Sequence, residues 1–212
     1  MSKVDLALDT QSRRPPAIPI DPPQANAHAA GLPVLECLVS ERLFDDGVGF
    51  VALIRGASPA HRHIAFFAVD SFCRGVKDAI FYTADWREAD RLLDAMQLSG
   101  PASPVAPAEA RKLLRDLVAW AADNGFPPHA DYVRLEPLFG DVKPAETDYT
   151  SRFGRDGDVL YVPGPGETPA QVRRRMQRVR SRLGDAVAER SLFALAGVLA
   201  ERFELVLDDE QY

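Results

Sequence analysis

Apolar and polar positions along this chain fall into three textures. Residues 1–32 show no period: Pro15-Pro16, Pro19 and Pro22-Pro23 remove backbone donors, and the apolar residues between them are too sparse to offset the entropy of ordering. That composition predicts a disordered Pro-rich arm over 1–32, one domain over 33–207 and a short acidic end at 208–212. From Pro33, β-branched and aromatic residues concentrate in Val34–Val39, Gly49–Ile54 and Ile64–Val69. Asp45-Asp46-Gly47 and Arg55-Gly56-Ala57-Ser58-Pro59 supply turn chemistry between them. Short connections favour antiparallel neighbours, so a three-strand meander is expected. Val76–Tyr82 would add a fourth strand, with Lys77 and Asp78 needing exposed or paired positions.

Helical periodicity follows. Asp85-Trp86-Arg87-Glu88 reads as a capped start to a helix ending near Met96. Pro107 opens a second helix, in which Ala110, Leu113, Leu114, Leu117, Val118 and Ala121 recur at steps that bury one face before Gly125 ends it. Ala130–Phe139 predicts a further short helix. Tyr149–Phe153 and Asp158–Val162 flank Arg155-Asp156-Gly157, a hairpin signal because glycine supplies the positive φ of the turn. Thr168-Pro169-Ala170-Gln171 opens a helix that runs to Gly184, and a last helix is expected over Asp185–Glu204. The pattern as a whole predicts an α+β fold: an antiparallel sheet of four to six strands with helices on one face. In the alternative arrangement the late hairpin forms a small sheet of its own.

Composition narrows the class. At 212 residues, 46% hydrophobic and 26% charged, the chain is long enough for one core without disulfides or structural metal. Its two cysteines, Cys37 and Cys73, sit far apart in apolar segments, as reduced core thiols do. The N-terminus lacks the apolar stretch of a secretory signal, and the run Leu192–Ala200 is too short to span a bilayer, so a cytoplasmic protein without membrane contact is expected. A net charge of −6 argues against nucleic-acid binding through the overall field. Of 25 basic residues only Lys3, Lys77, Lys112 and Lys143 are lysines, which together with abundant alanine and proline points to a GC-rich bacterial source.

Three constellations bear on function. In Phe66–Asp78, the residues Asp70, Asp78 and Lys77 close an apolar strand around Gly75. Hard carboxylate oxygens suit a divalent cation such as Mg²⁺ or Mn²⁺, and Lys77 a phosphate. The plainer reading is a turn capped by Asp70, with Lys77 paired to a surface acid. Second, His129 and Asp131 after Pro127-Pro128, with Asp141 after Phe139-Gly140, add a histidine and two acids. Their structural alternative is a helix N-terminus, where Asp131 complements the dipole. Third, Arg174, Arg175 and Arg178 lie opposite the apolar stripe Val172, Met176, Val179 and Leu183. They form either a docking face for a protein or RNA partner, or an ordinary solvated face. The loop Gly164-Pro165-Gly166 is no phosphate cradle, since two prolines remove donors and Glu167 repels anions. His61 and His63 share a face without a third ligand.

The segments Phe67-Ala68-Val69-Asp70, Cys73-Arg74-Gly75-Val76-Lys77-Asp78, Phe139-Gly140-Asp141 and Phe153-Gly154-Arg155-Asp156-Gly157, with Tyr161 and Gly164-Pro165, resemble a group of uncharacterised bacterial proteins. The resemblance runs from the meander to the basic helix and implies no activity. Two functions remain as expectations. The preferred one is a non-catalytic binding or regulatory domain that needs no cofactor. The other is a metal-dependent phosphodiester hydrolase with Asp70, Asp78 and Asp141 as ligands, His129 as ligand or base, and Lys77 as electrostatic stabiliser.

Overall fold

The computed structural model describes residues 27–58, 60–97, 100–146, 148–164 and 167–191. The arm over 1–26 and all residues beyond 191, including the acidic end, lie outside the described residues; of the last helix expected over Asp185–Glu204, residues 185–191 are described and are helical.

The fold is α+β. Strands β1 (Val34–Ser40), β2 (Val48–Ser58), β3 (His61–Asp70), β4 (Gly75–Asp85) and β5 (Ala102–Pro104) form one antiparallel sheet in the order β4-β3-β2-β1-β5. The meander β1–β4 follows the pattern expected from sequence. A helical turn, α1 (Leu43–Asp46), leads into β2, and Gly47 at φ 73° ends it. Strand β5 pairs Ser103 with Val39 at the sheet edge. Its flanking prolines hide it in the sequence, yet an edge strand tolerates a residue that cannot donate.

Both faces of the sheet are covered, which corrects the expectation of helices on one face only. One face carries Val51, Leu53, Ala65, Phe67 and Val69 against Leu113, Leu114 and Leu117 of α3 (Pro107–Asp123) and Tyr132 and Leu135 of α4 (Ala130–Leu135). The other carries Phe50, Ala52, Ile54 and Ile64 against Ala89 and Leu93 of α2 (Trp86–Gln97). The cause lies in β2, where residues 50–56 are buried without a break. A strand that reads apolar continuously, rather than alternately, is covered on both sides.

The late β-hairpin is also corrected. Its turn forms, with Asp156 and Gly157 at positive φ, but pairing stops at a single bridge between Arg155 and Asp158, and Thr150–Arg152 is a 3-10 turn. The flanking amides bond elsewhere: Gly154 N donates to Ser71 O at 3.0 Å and Leu160 N to Phe72 O at 3.3 Å. Backbone donors satisfied by the loop after β3 are no longer available for a second strand pair.

Helix α5 (Pro169–Leu183) starts with the expected capping box of Thr168 and Gln171. Its stripe of Val172, Met176, Val179 and Leu183 packs on Cys73, Phe126, Val159 and Tyr161. Residues 27–32, assigned to the arm by composition, hold a helical turn over 27–30, and Ala29 is fully buried. Cys37 and Cys73 are free and buried, and burial pushes the Cys37 thiol up to about 12. Among the described residues no helix is long and apolar enough to cross a membrane.

Candidate functional site

The turn between β3 and β4 organises the most polar part of the interior. Asp70 is buried, and its Oδ1 accepts from Phe72 N at 3.0 Å and Cys73 N at 2.9 Å. Ser71 Oγ donates to Leu43 O at 2.8 Å, and Asn124 Nδ2 donates to Cys73 O at 3.0 Å. Burial drives the Asp70 carboxyl above its ordinary value, although the Lys77 ammonium and the turn amides oppose that shift. Asp70 therefore acts as the keystone of a fixed turn, as the plainer of its two sequence readings expects.

Beyond that turn the β3–β4 register slips. Val69 pairs with Val76 and Ala68 with Asp78, so Lys77 is the extra residue of a bulge. Lys77 is half-buried, and burial holds its ammonium below the usual lysine range while the Asp70 charge opposes this. Arg74, Glu167 and Arg175 also act on it electrostatically. Among the described residues no hydrogen bond or ion pair reaches the Lys77 ammonium, so the expected pairing with a surface acid does not form.

Glu167 is the hub beside it. Arg74 Nη1 donates to Glu167 Oε1 at 2.7 Å, Arg175 Nη1 pairs with the same oxygen, and Tyr161 Oη donates to Oε2. The side chains of Glu167, Arg74 and Arg175 are 11%, 15% and 25% exposed, so water screens these charges only in part. Burial alone would raise Glu167, but the bonds from Tyr161 and Arg175 and the Arg74 charge outweigh it and hold the carboxyl below its usual range. Burial, reinforced by Glu167, pushes the Tyr161 phenol up to about 12. The acid that would repel anions on its sequence context is thus neutralised by two arginines.

A second cluster lies where the β4 edge meets the start of α4. One donor atom from each of Asp78, His129 and Asp131 lies within 4.8 Å of the others. His129 is the N-cap of α4, with Nδ1 accepting from Asp131 N at 3.4 Å and standing 3.8 Å from Asp131 Oδ2. Asp131 Oδ1 accepts from Arg134 at 2.9 Å, and Asp78 Oδ1 from Ala79 N at 2.9 Å. Of the ligands expected from sequence, this cluster contains Asp78 and His129 but neither Asp70 nor Asp141. Asp141 instead acts on the Arg55 guanidinium, supporting its charged form.

The arginine triad of α5 divides. Arg175 turns inward to Glu167, whereas Arg174 and Arg178 are exposed and line an open groove with Gly125, Gln177, Ser181 and Arg182. His61 and His63 also separate: His61 is exposed, while the half-buried His63 bonds Thr83 Oγ1 at 3.1 Å and stacks on Phe81.

Arg74, Tyr161 and Glu167 are the members of the inner cluster that sequence reasoning did not select. Arg74 and Glu167 stand 93 positions apart, and no local spacing signals such a pair. Comparison with family models, curated proteins and solved structures finds no match to this chain.

Proposed function

We propose that this chain is a non-catalytic binding domain that docks an acidic segment of a partner protein against α5 through Arg174 and Arg178. The observation that carries this reading is that Arg174 and Arg178, exposed one helical turn apart on one face of α5, meet no acid among the described residues, although half of the described arginines do. Arg42, Arg62, Arg74, Arg111, Arg115, Arg134, Arg175, Arg180 and Arg190 all meet an acid within ion-pair distance. Arg174 and Arg178 meet none among the described residues, and they flank a groove whose lining contains no acid. In a chain of net charge −6 such a patch attracts anions locally rather than through the overall field. No aromatic side chain lines the groove, so it offers no platform for stacked bases, which favours a carboxylate-rich peptide over RNA.

The test uses a labelled oligoglutamate peptide and a labelled single-stranded RNA in parallel anisotropy titrations at low salt. The peptide should bind and weaken with salt, and Arg174→Glu with Arg178→Glu should abolish it. Binding unchanged by the double reversal would sink the proposal, and binding of RNA alone would replace the partner class.

A second reading, metal-dependent hydrolysis of a phosphodiester, draws support from the Asp78–His129–Asp131 cluster rather than from the Asp70–Asp78–Asp141 set. Three donors bonded to one ion at ~2.1 Å lie at most ~3.6 Å from one another, so closure of about 1 Å would be needed. Mn²⁺-dependent cleavage of bis-p-nitrophenyl phosphate, lost in His129→Ala, would establish it. No cleavage at millimolar Mn²⁺ would remove it.

A further inference from the structure

The 3-10 turn Thr150–Arg152, in place of the expected late strand, brings Tyr149 and Arg152 against α1, the start of α3 and the edge pair β1–β5. Together these elements line a cleft of about 190 Å³ that shares no residue with the Arg174–Arg178 groove. Sites for drug-sized molecules run to roughly 300–1,000 Å³, so this one suits a small metabolite. Its inner wall is apolar. Leu113 is buried, and the half-buried rings of Phe44 and Tyr149 lie parallel within 7°, with centroids 6.2 Å apart. Burial, and after it the Glu109 charge, raises the Tyr149 phenol above its ordinary value, so the ring stays uncharged at neutral pH.

The rim carries charges of both signs, in the exposed side chains of Glu41, Glu109 and Arg152. Ser103 Oγ donates to Glu41 Oε1 at 2.5 Å, which fixes that carboxylate in place. The Arg152 guanidinium lies over the Phe44 ring, its central carbon 3.8 Å from the centroid. Contact of that carbon with a ring uses none of the N–H donors, so the guanidinium fork stays open to a carboxylate. Among the described residues no ion pair joins Arg152 to an acid, or Glu41 or Glu109 to a base. Opposite charges thus share one cleft without neutralising one another.

We infer that this cleft binds a free aromatic α-amino acid, with its ring against Phe44, Tyr149 and Leu113, its carboxylate on Arg152 and its ammonium on Glu109. The charges select this class. A hydrocarbon would leave three rim charges unanswered, an amine would meet Arg152 as a like charge, and a carboxylate alone would meet Glu41 and Glu109 in the same way. A zwitterion carries both signs on one carbon, and its aromatic side chain gains ring contacts beyond its buried area. Within a peptide the same residue has lost at least one of those charges, so the site reads the free amino acid.

The experiment titrates the full chain by calorimetry with L-phenylalanine, and in parallel with phenethylamine and 3-phenylpropionate, which each lack one of the two charges. Saturable binding of L-phenylalanine is expected, with each analogue weaker by at least about tenfold. Arg152→Gln should weaken the amino acid but not phenethylamine, and Glu109→Gln should weaken it but not 3-phenylpropionate. Both positions are exposed, so neither change should disturb folding, and both leave Arg174 and Arg178 intact, so the result is independent of peptide docking at α5. On the unaltered chain, NMR cross-peaks should join the ligand ring to Phe44 and Tyr149. No binding up to about 10 mM L-phenylalanine would overturn the assignment, as would full affinity in both variants. An analogue that binds as tightly as the amino acid would make the occupant a simple organic cation or anion, and would overturn it equally.

Discussion

Arg55, on strand β2, donates from Nη2 to the carbonyl of Phe139 at 2.7 Å, joining the centre of the sheet to the 3-10 turn that follows α4. Its Nη1 donates to Ala30 O at 3.0 Å and also to Leu32 O. One buried guanidinium thus gathers three carbonyls from two distant segments. Burial, the larger influence, together with the nearby Arg111 charge, lowers its proton affinity, but an arginine remains charged.

Arg55→Met is expected to destabilise the fold by about 3–5 kcal/mol, because three buried acceptors lose a charged donor while the apolar volume is kept. Urea unfolding measures the loss. Limited proteolysis should show cleavage appearing near residues 27–32, where the carbonyls of Ala30 and Leu32 are tied to the core by Arg55. A variant as stable as the parent would show that these carbonyls are satisfied by water instead.

Gly75 admits no side chain. Its φ is +62°, and a Cβ there would lie 2.2 Å from the Leu117 carbonyl oxygen of α3. Backbone, rather than a flexible side chain, stands in the way, so α3 must shift off the sheet. Gly75→Ala should cost about 2–4 kcal/mol, part in left-handed strain and part in lost packing. Thermal unfolding tests it, with Gly157→Ala as the comparison, since Gly157 also has positive φ but open space around its Cβ position.

What could be read from the chain, and what could not, divides along the range of the interactions. The four strands of the meander, the Thr168–Gln171 capping box and the apolar stripe of α5 are written in local spacing, and each appears as expected. The late hairpin carries an equally good local signal in Asp156-Gly157, yet Ser71 and Phe72 take its backbone partners. The candidate site follows the same rule. Asp70 as a turn cap is a contact over two and three residues, whereas the Arg74–Glu167 pair spans 93 and was invisible. Lys77 is one of four lysines in an arginine-rich chain, but its bulge position depends on the register with β3.

Asp70 should make stability depend on pH in an unusual direction. Its folded carboxyl binds a proton more tightly than the ordinary value of 3.8, because burial penalises the charge more than Lys77 and the turn amides favour it. The native state then holds more protons than the unfolded chain above that value, so this group's contribution falls as pH rises through the window. Asp70→Asn keeps an oxygen for Phe72 N and Cys73 N and removes the ionisation. The stability of Asp70→Asn relative to the parent should rise as pH increases from about 4 toward neutral, read by urea unfolding at stepped pH. A relative stability that falls over that range would mean Lys77 stabilises the charged form more than burial opposes it.

Glu167 should behave in the opposite sense from within the same cluster. Burial works against its charge, but Tyr161, Arg175 and Arg74 together hold the folded carboxyl below the ordinary 4.5. A depressed folded value gives stability that is complete above the unfolded value and drains away as pH falls through the folded one. Glu167→Gln keeps the volume and one acceptor oxygen, yet leaves Arg74 and Arg175 without their shared counter-charge. Its cost at neutral pH should be about 1–3 kcal/mol, discounted because Arg175 keeps some contact with water. That cost should shrink below about pH 4.5, where the carboxyl begins to protonate in the unfolded chain while the folded one stays charged, and be lost as pH falls through the folded value. Stepped-pH unfolding of Glu167→Gln beside Asp70→Asn therefore gives two curves of opposite slope if the assignments hold. Curves that run parallel would mean the two carboxylates titrate as one coupled unit, and the division of labour between turn and hub would have to be abandoned.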